Sequence, residues 1–498
     1  MFEELYDNLD VVDASQPGWR DTLFRLLGCG EHYTLKPLQS IFALVQGMRV
    51  ETVVLEKEYV DADFSDEFRT HYYRQFTLCH PRCKRIHFFG NKFTKKDLPN
   101  LKLADQQYLG FSVVRPTRSF CTGRTILRTP KHDSDTMYTL CKTDFEANLC
   151  ANNLLISGMP FIQQDTNVGV CAQAALWMTS LYMHQKFRFP RFRPSEITMA
   201  ATRFRTLGPV RYGLAHEQML AALREMGYTP LAFPHYDEEM TARIIYAYVE
   251  SELPVILLVK IRGEGHAVVV IGHDYHCRRR PKGKWNSNIY WIDHFYIQDD
   301  AVGPYMDLLI KGRVRAGRGI HYSIKENAAY VIVPVYPGIA MQANDVFLHV
   351  DTLVDYLNDL IDLFGEEAKP LRFSAKELKG LVFRTYLRTS NDFKTRLPSE
   401  MNEFFQHHYK SMSMPHNVWV TEISKSQYLN HPKACDRKIL GEIVIDSTAD
   451  RHAHMESFLA IHLMGRMIIK IRPPGELKPH YALYLRRGEQ PYGHLVRE

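Results

Sequence analysis

Phe161-Ile-Gln-Gln-Asp-Thr-Asn-Val-Gly-Val-Cys171-Ala-Gln-Ala-Ala-Leu-Trp-Met178 is a polar, turn-rich approach that ends on a cysteine and continues as an apolar run of helix formers. A helix is therefore predicted over 171 to 185, with Cys171 at its start. A thiol in that position feels the positive end of the helix macrodipole, which favours the thiolate. Further along the chain, Gly263-Glu-Gly-His266-Ala-Val-Val-Val-Ile-Gly272 places one histidine at the entry to an apolar strand. A cysteine nucleophile needs such a base, and the base needs a third group to orient it. Phe295-Tyr-Ile-Gln-Asp299-Asp300-Ala-Val-Gly-Pro-Tyr305 offers one, an acid where a strand gives way to a turn. Gln163 and Gln164 precede the cysteine and bring a side-chain amide that can join a backbone N–H in stabilising an oxyanion.

In this order the residues resemble the papain-like cysteine peptidase superfamily, in the branch related to double-glycine leader peptidases. The corresponding pattern here is Gln164, Cys171 opening a helix, Pro254-Val-Ile, His266 to Gly272, and Ile297-Gln-Asp299, spanning roughly residues 160 to 310. The resemblance implies Cys171 as nucleophile, His266 as general base and then acid, Asp299 as the group orienting the imidazole, and Gln164 as oxyanion donor. It departs from the pattern in a Gln-to-Cys gap one residue longer than usual, which leaves Gln163 open beside Gln164. Ala172 stands where many members have Gly, and the basic insertion Arg278-Arg-Arg-Pro-Lys-Gly-Lys284 lengthens the path from His266, leaving Asp293 and Asp300 open as the acid. The implied fold is α+β: a papain-like central domain, with the cysteine helix packed on an antiparallel sheet that carries the histidine and the acid.

At 498 residues the chain exceeds a single ordinary core, since domains run to about 150 residues. Segment character divides it into an N-terminal α+β accessory region (1–150), the peptidase-like region (151–336) and a C-terminal α+β accessory region (337–498). In the first, a helix is expected near 35–45 and strands over 51–59, 108–115 and 124–128. In the second, helices are expected at 215–226 and 238–252 and strands at 254–260, 266–272, 288–298 and 328–335. In the third, Val346 to Phe364 reads as a helical face, and 417–423, 439–446 and 467–471 read as strands.

Apolar residues at 45% and charged residues at 24% match an ordinary folded protein and exclude a disordered or fibrous one. No apolar run reaches the roughly 18 residues of a membrane span. The acidic start, Met1-Phe-Glu-Glu-Leu-Tyr-Asp, lacks the pattern of a secretion signal, so a cytoplasmic protein is the simplest reading. Nine scattered cysteines do not form a secreted disulfide framework. Cys79-His80-Pro-Arg-Cys83 is at most half of a zinc site, because structural zinc wants four ligands. Three basic stretches, 186–193, 278–284 and 311–318, read first as solvated loops, with an acidic protein partner or nucleic acid as the rival reading.

The expectation is a cysteine peptidase that cleaves peptide or isopeptide bonds in a protein or peptide substrate, with no metal or organic cofactor and no membrane partner. The flanking regions suit substrate selection, autoinhibition or docking of a regulatory protein, a layout of dedicated processing such as bacterial regulation or defence. Two alternatives share the same residues. The thioester chemistry also serves deamidation, transamidation and removal of a ubiquitin-like modifier, and an inactive scaffold binding protein or nucleic acid keeps the fold without the reaction. His273 is a weaker rival base.

Overall fold

The computed structural model describes residues 7–28, 36–76, 79–101, 107–117, 121–130, 137–164, 171–203, 214–261, 263–277, 285–311, 322–431, 433–471, 480–486, 489–493 and 495. The chain is mixed α and β, built on three large sheets that follow one another along the sequence.

The first sheet is an antiparallel array in the order Leu9–Asp13, Thr52–Tyr59, Cys83–Phe89, Tyr108–Val114, Thr122–Leu127 and Pro160–Phe161. Helix Trp19–Leu27 packs on its strand Leu9–Asp13, and helix Lys36–Gly47 sets Phe42 against Phe88 of this sheet while packing on residues 303–309; buried positions recur at helical spacing, as in Leu38, Ile41, Phe42 and Val45. The second sheet runs Thr229–Pro234, Ala328–Val335, Val255–Ile261, Glu264–Asp274, His294–Asp299, Gly303–Leu309 and Tyr322–Ser323. It is antiparallel except at its last pair. Val255 to Leu257 and Ala267 to Ile271 are fully buried or nearly so, which explains strands that read as unbroken apolar runs rather than alternating ones. The third sheet orders Trp285–Ser287, Leu381–Thr389, Asn417–Lys425, Gly441–Asp446, Phe458–Leu463, Arg466–Ile471 and His480–Leu485.

Two strands cross between these units. Met137–Thr139 pairs with the 264–274 strand of the second sheet, and 285–287 joins the third. Gly272 permits the first crossing, because a Cβ there would lie 2.2 Å from the carbonyl oxygen of Tyr138.

Helix Cys171–Phe187 packs against strand Glu264–Asp274. It is buried on nearly all sides from Ala172 to Met183, so it is a core helix rather than an amphipathic surface one. Helices His216–Glu225 and Glu238–Glu250 also form, the first followed by Gly227 at φ 88°. Glu238–Glu250 lies between the second sheet and strand 381–389 of the third.

Two expected elements differ. The stretch 288–298 is not one strand: Asn288–Trp291 is a 3-10 turn, capped where Ser287 Oγ accepts the Ile289 N–H at 3.4 Å, and the strand begins only at His294. The 346–364 stretch forms two helices, Ala343–Asp355 and Leu357–Asp362, interrupted at Tyr356 with φ −105° and ψ 13°. Among the described residues no helix is long and apolar enough to cross a membrane.

Candidate active site

Cys171 is the first residue of its helix and is half-buried. His266 sits in the strand packed against that helix, opposite Val259 of the neighbouring strand. Its side chain shares a hydrogen bond with Cys171, and its Nε2 lies 3.0 Å from Asp299 Oδ1. With Nε2 turned to the carboxylate, Nδ1 is the ring nitrogen left for the thiol.

Asp299 ends strand His294–Asp299, where the pairing register with 303–309 shifts. Such an irregularity re-aims a side chain relative to the regular pleat. The carboxylate is held on several sides. Oδ1 also accepts the Ala301 N–H at 3.0 Å, and the Tyr322 hydroxyl donates to the same carboxylate. The turn beyond it is fixed from outside: Ser40 Oγ donates to the Val302 carbonyl at 2.7 Å, and Gly303 passes so near that a Cβ would meet Ser40 Cβ at 2.5 Å.

Burial opposes protonation of His266, but the hydrogen bonds to Asp299 and Cys171 and the charges of Asp299 and Asp300 outweigh it, raising the imidazole from 6.5 to about 11. Burial would raise Asp299 in turn, yet the hydrogen bond and charge of His266 bring it below the usual carboxylate range. At neutral pH the pair is an imidazolium against a carboxylate.

Asp300 is also fully buried, with Oδ1 3.7 Å from His266 Nε2. Burial first, and then the charge of Asp299, push it up to about 7, against the pull of His266 and of the Gln164 and Asp300 backbone N–H groups. The two adjacent acids therefore differ: Asp299 is hydrogen-bonded and ionised, and Asp300 titrates near neutrality. Asp293 is not at this site, since its carboxylate meets His276 Nε2 at 3.2 Å in a separate group with Asp274.

The two glutamines separate as clearly. Gln163 Oε1 accepts the Thr122 N–H at 2.9 Å, which ties its amide to the first sheet. Gln164 reaches the site through its backbone beside Asp300. Residues 165–170, which link it to Cys171, lie outside the described residues. His273, the rival base, is buried, with Nε2 3.0 Å from Glu250 Oε1 and Nδ1 donating to the Asp274 carbonyl, so both nitrogens are engaged elsewhere.

Tyr322 had no sequence signal. It is buried, its ring centroid stands 5.9 Å from that of His266, and the negative charge of Asp299 adds to burial in raising its hydroxyl. It enters the site only because the short strand 322–323 pairs with the end of strand 303–309.

Among the described residues, two groups bring possible metal-ligating atoms within 4.8 Å of one another: His266, Asp299 and Asp300, and Asp274, His276 and Asp293. In the first, His266 is already committed to Asp299 and Cys171. Cys83 is buried in a strand with its thiol pushed up by burial, and Cys79 donates to the Pro116 carbonyl at 3.3 Å. Of the basic stretches, 278–284 and 312–318 lie outside the described residues. In 186–193, Arg191 Nη2 donates to both Asp63 carboxylate oxygens at 2.6 and 2.7 Å and Lys186 meets Glu252 at 3.2 Å, so these two cations serve internal pairs.

No known protein family and no curated protein matches this chain. Among solved structures, the peptidase domain of Streptococcus ComA, described as a bifunctional ABC transporter of a quorum-sensing pathway, aligns with 35% of this chain and 95% of that domain. The identity is 15% and the TM-score 0.21, too low to assign a fold.

Proposed function

We propose that this chain is a papain-like cysteine peptidase that cleaves a peptide or isopeptide bond of a protein substrate through Cys171, His266 and Asp299. The observation that carries the reading is His266 held at 3.0 Å by Asp299 while hydrogen-bonded to a cysteine that opens a helix. In the reaction the Cys171 sulfur attacks the carbonyl carbon, and the carbonyl oxygen takes up negative charge. The Cys171 backbone N–H and the Gln164 side chain are the donors for that oxygen. As the C–N bond breaks, the imidazolium passes its proton to the leaving amine, and a thioester remains. His266 then takes a proton from water, whose oxygen attacks the thioester and restores the thiol. Asp299 fixes the ring and stabilises its charge throughout. His266 favours its protonated form at neutral pH, so it stands ready as the acid.

Brief iodoacetamide treatment at pH 6 with intact-mass readout tests the reading. Cys171 is expected to alkylate at least about tenfold faster than the other cysteines, with the adduct absent in Cys171→Ala and slowed in His266→Ala. Labelling of Cys171 no faster than the rest would sink the proposal.

A further inference from the structure

A cleft of about 330 Å³ opens along the Cys171 helix. Ala174 and Trp177 of that helix form one side, Ile162 and Gln164 of its approach form the base, and Met199 of helix Pro194–Thr202 lies at the mouth, 61% exposed. The outer wall comes from the N-terminal region, through Glu67 and Thr70 of helix Ala62–Thr70. The cleft reaches toward the proposed active site on two elements that also carry it: Gln173 and Ala174, two and three residues along the helix from Cys171, and Gln164, whose backbone lies beside Asp300.

Several of its polar groups are held in pairs. Arg115 donates to Glu67 Oε2 at 2.8 Å, Gln173 Nε2 donates to Thr198 Oγ1 at 2.6 Å, and Ser195 Oγ donates to Asp66 Oδ1 at 2.7 Å. A charged guest would lose its water and meet a guanidinium already paired with a carboxylate, whereas an apolar guest meets the Trp177 indole, the Ile162 side chain and the pliable Met199 thioether. The volume falls in the range of pockets that enclose a compact ligand group.

We propose that this cleft is the subsite for one bulky apolar side chain, aromatic or long aliphatic, of the polypeptide substrate, with the N-terminal helix as its outer wall. The proposal rests on the peptidase reading and extends it to the substrate.

The test uses the full chain and tetrapeptide chloromethyl ketones of alanine in which Phe, Leu, Lys or Glu replaces one position at a time. The rate of Cys171 alkylation is followed by intact mass, and each rate is divided by the iodoacetamide rate of the same protein, which reports the thiol without side-chain recognition. At one position Phe and Leu are expected to react about ten- to hundredfold faster than Ala, Lys or Glu. That preference is expected to shrink to about two- to threefold in Ala174→Trp, which fills the cleft, and in Met199→Glu, which places a charge at its exposed mouth without disturbing the core. Absence of the preference, a preference for Lys or Glu, or a preference that survives both substitutions overturns the subsite. If iodoacetamide leaves Cys171 unlabelled, the peptidase reading falls and the subsite with it. A labelled Cys171 without apolar preference removes the subsite alone.

Discussion

Replacing Asp299 by Asn keeps the size of the side chain and removes the charge that faces His266 at 3.0 Å. The rise of His266 from 6.5 to about 11 corresponds to about 6 kcal/mol of preference for the imidazolium, at about 1.36 kcal/mol per decade of pH. Asp299 supplies both the stronger hydrogen bond and the nearer charge, while Cys171 and Asp300 supply the remainder. Assigning Asp299 half of the total gives about 3 kcal/mol, so the variant's imidazole is expected to titrate about two decades lower in pH than the wild type. The sign also fixes the stability profile. His266 is raised above its unfolded value, so its contribution is fully present below pH 6.5 and is lost as pH climbs toward about 11. The assay is the ring-proton NMR titration of His266, assigned by its loss in His266→Gln, alongside the pH profile of Cys171 alkylation. Turnover of a peptide substrate is expected to fall by about a thousandfold or more, the loss seen when the acid of a related triad is neutralised. Two results would refute the reasoning: a wild-type His266 that titrates near 6.5, or a midpoint that Asp299→Asn leaves in place.

Three further perturbations separate the roles around that pair. Tyr322→Phe removes one donor from Asp299 and is expected to slow peptide turnover about tenfold with a loss of about 1 kcal/mol in urea unfolding, whereas unchanged kinetics would reduce Tyr322 to packing. Asp300 is raised from 3.8 to about 7, so the native state binds its proton more tightly than the unfolded chain and stability is lost as pH rises through that window. Asp300→Asn should therefore unfold at higher temperature than wild type at pH 8 and match it near pH 4, as followed by circular dichroism; a lower melting temperature at pH 8 contradicts the assignment. Arg384 donates to both Glu250 and Glu422 and is almost wholly buried among them, so Arg384→Met strands two buried carboxylates and is expected to cost about 3 to 5 kcal/mol in chemical denaturation. A cost below about 1 kcal/mol would mean that water reaches that network.

Legibility in the sequence depends on range. The helix at 171 and the strands at 255 and 264 announce themselves because their signals are local: a run of helix formers after a turn-rich approach, and β-branched runs bounded by Gly and Pro. Cys171 and Asp299 stand out because each lies at the end of such an element, and His266 because it is the histidine just inside the start of an apolar strand. The misreadings arise where a local pattern is overruled by packing. Trp291 is buried and draws Asn288–Trp291 into a tight turn despite its strand-like composition, and Tyr356 interrupts an apolar periodicity that by itself fits one helix. Tyr322, the anchoring of Gln163 on the Thr122 N–H, and the pairing of 137–139 with 272–274 depend on contacts between residues far apart in sequence. No window of residues around any of these positions contains the information.

Those long-range contacts also decide whether the 151–336 region is sufficient for the chemistry. Its sheet is stitched to the N-terminal region by strand 137–139, by Ser40 on the Val302 carbonyl, and by Tyr305, whose hydroxyl donates to the Leu127 carbonyl at 3.0 Å. It is stitched to the C-terminal region by Arg384 on Glu250 and by the Tyr275 hydroxyl, which donates to the Leu429 carbonyl at 3.0 Å. Cutting at 151 and 336 would uncover the backbone edge at Gly272 and strip from helix Glu238–Glu250 the strand 381–389 that covers it, together with Arg384. An open edge invites pairing with other chains, and so does the apolar surface that strand 381–389 had covered. The turn after Asp299 would also lose the Ser40 contact that fixes it, so the acid would no longer be held against His266 from that side. The 151–336 piece is therefore expected to aggregate, or to melt more than about 10 °C below the full chain and to lose the selective low-pH alkylation of Cys171. If it stays monomeric in sedimentation, melts with the full chain and keeps that alkylation, the flanking sheets are appendages, and the geometry at His266 is set by the central sheet alone.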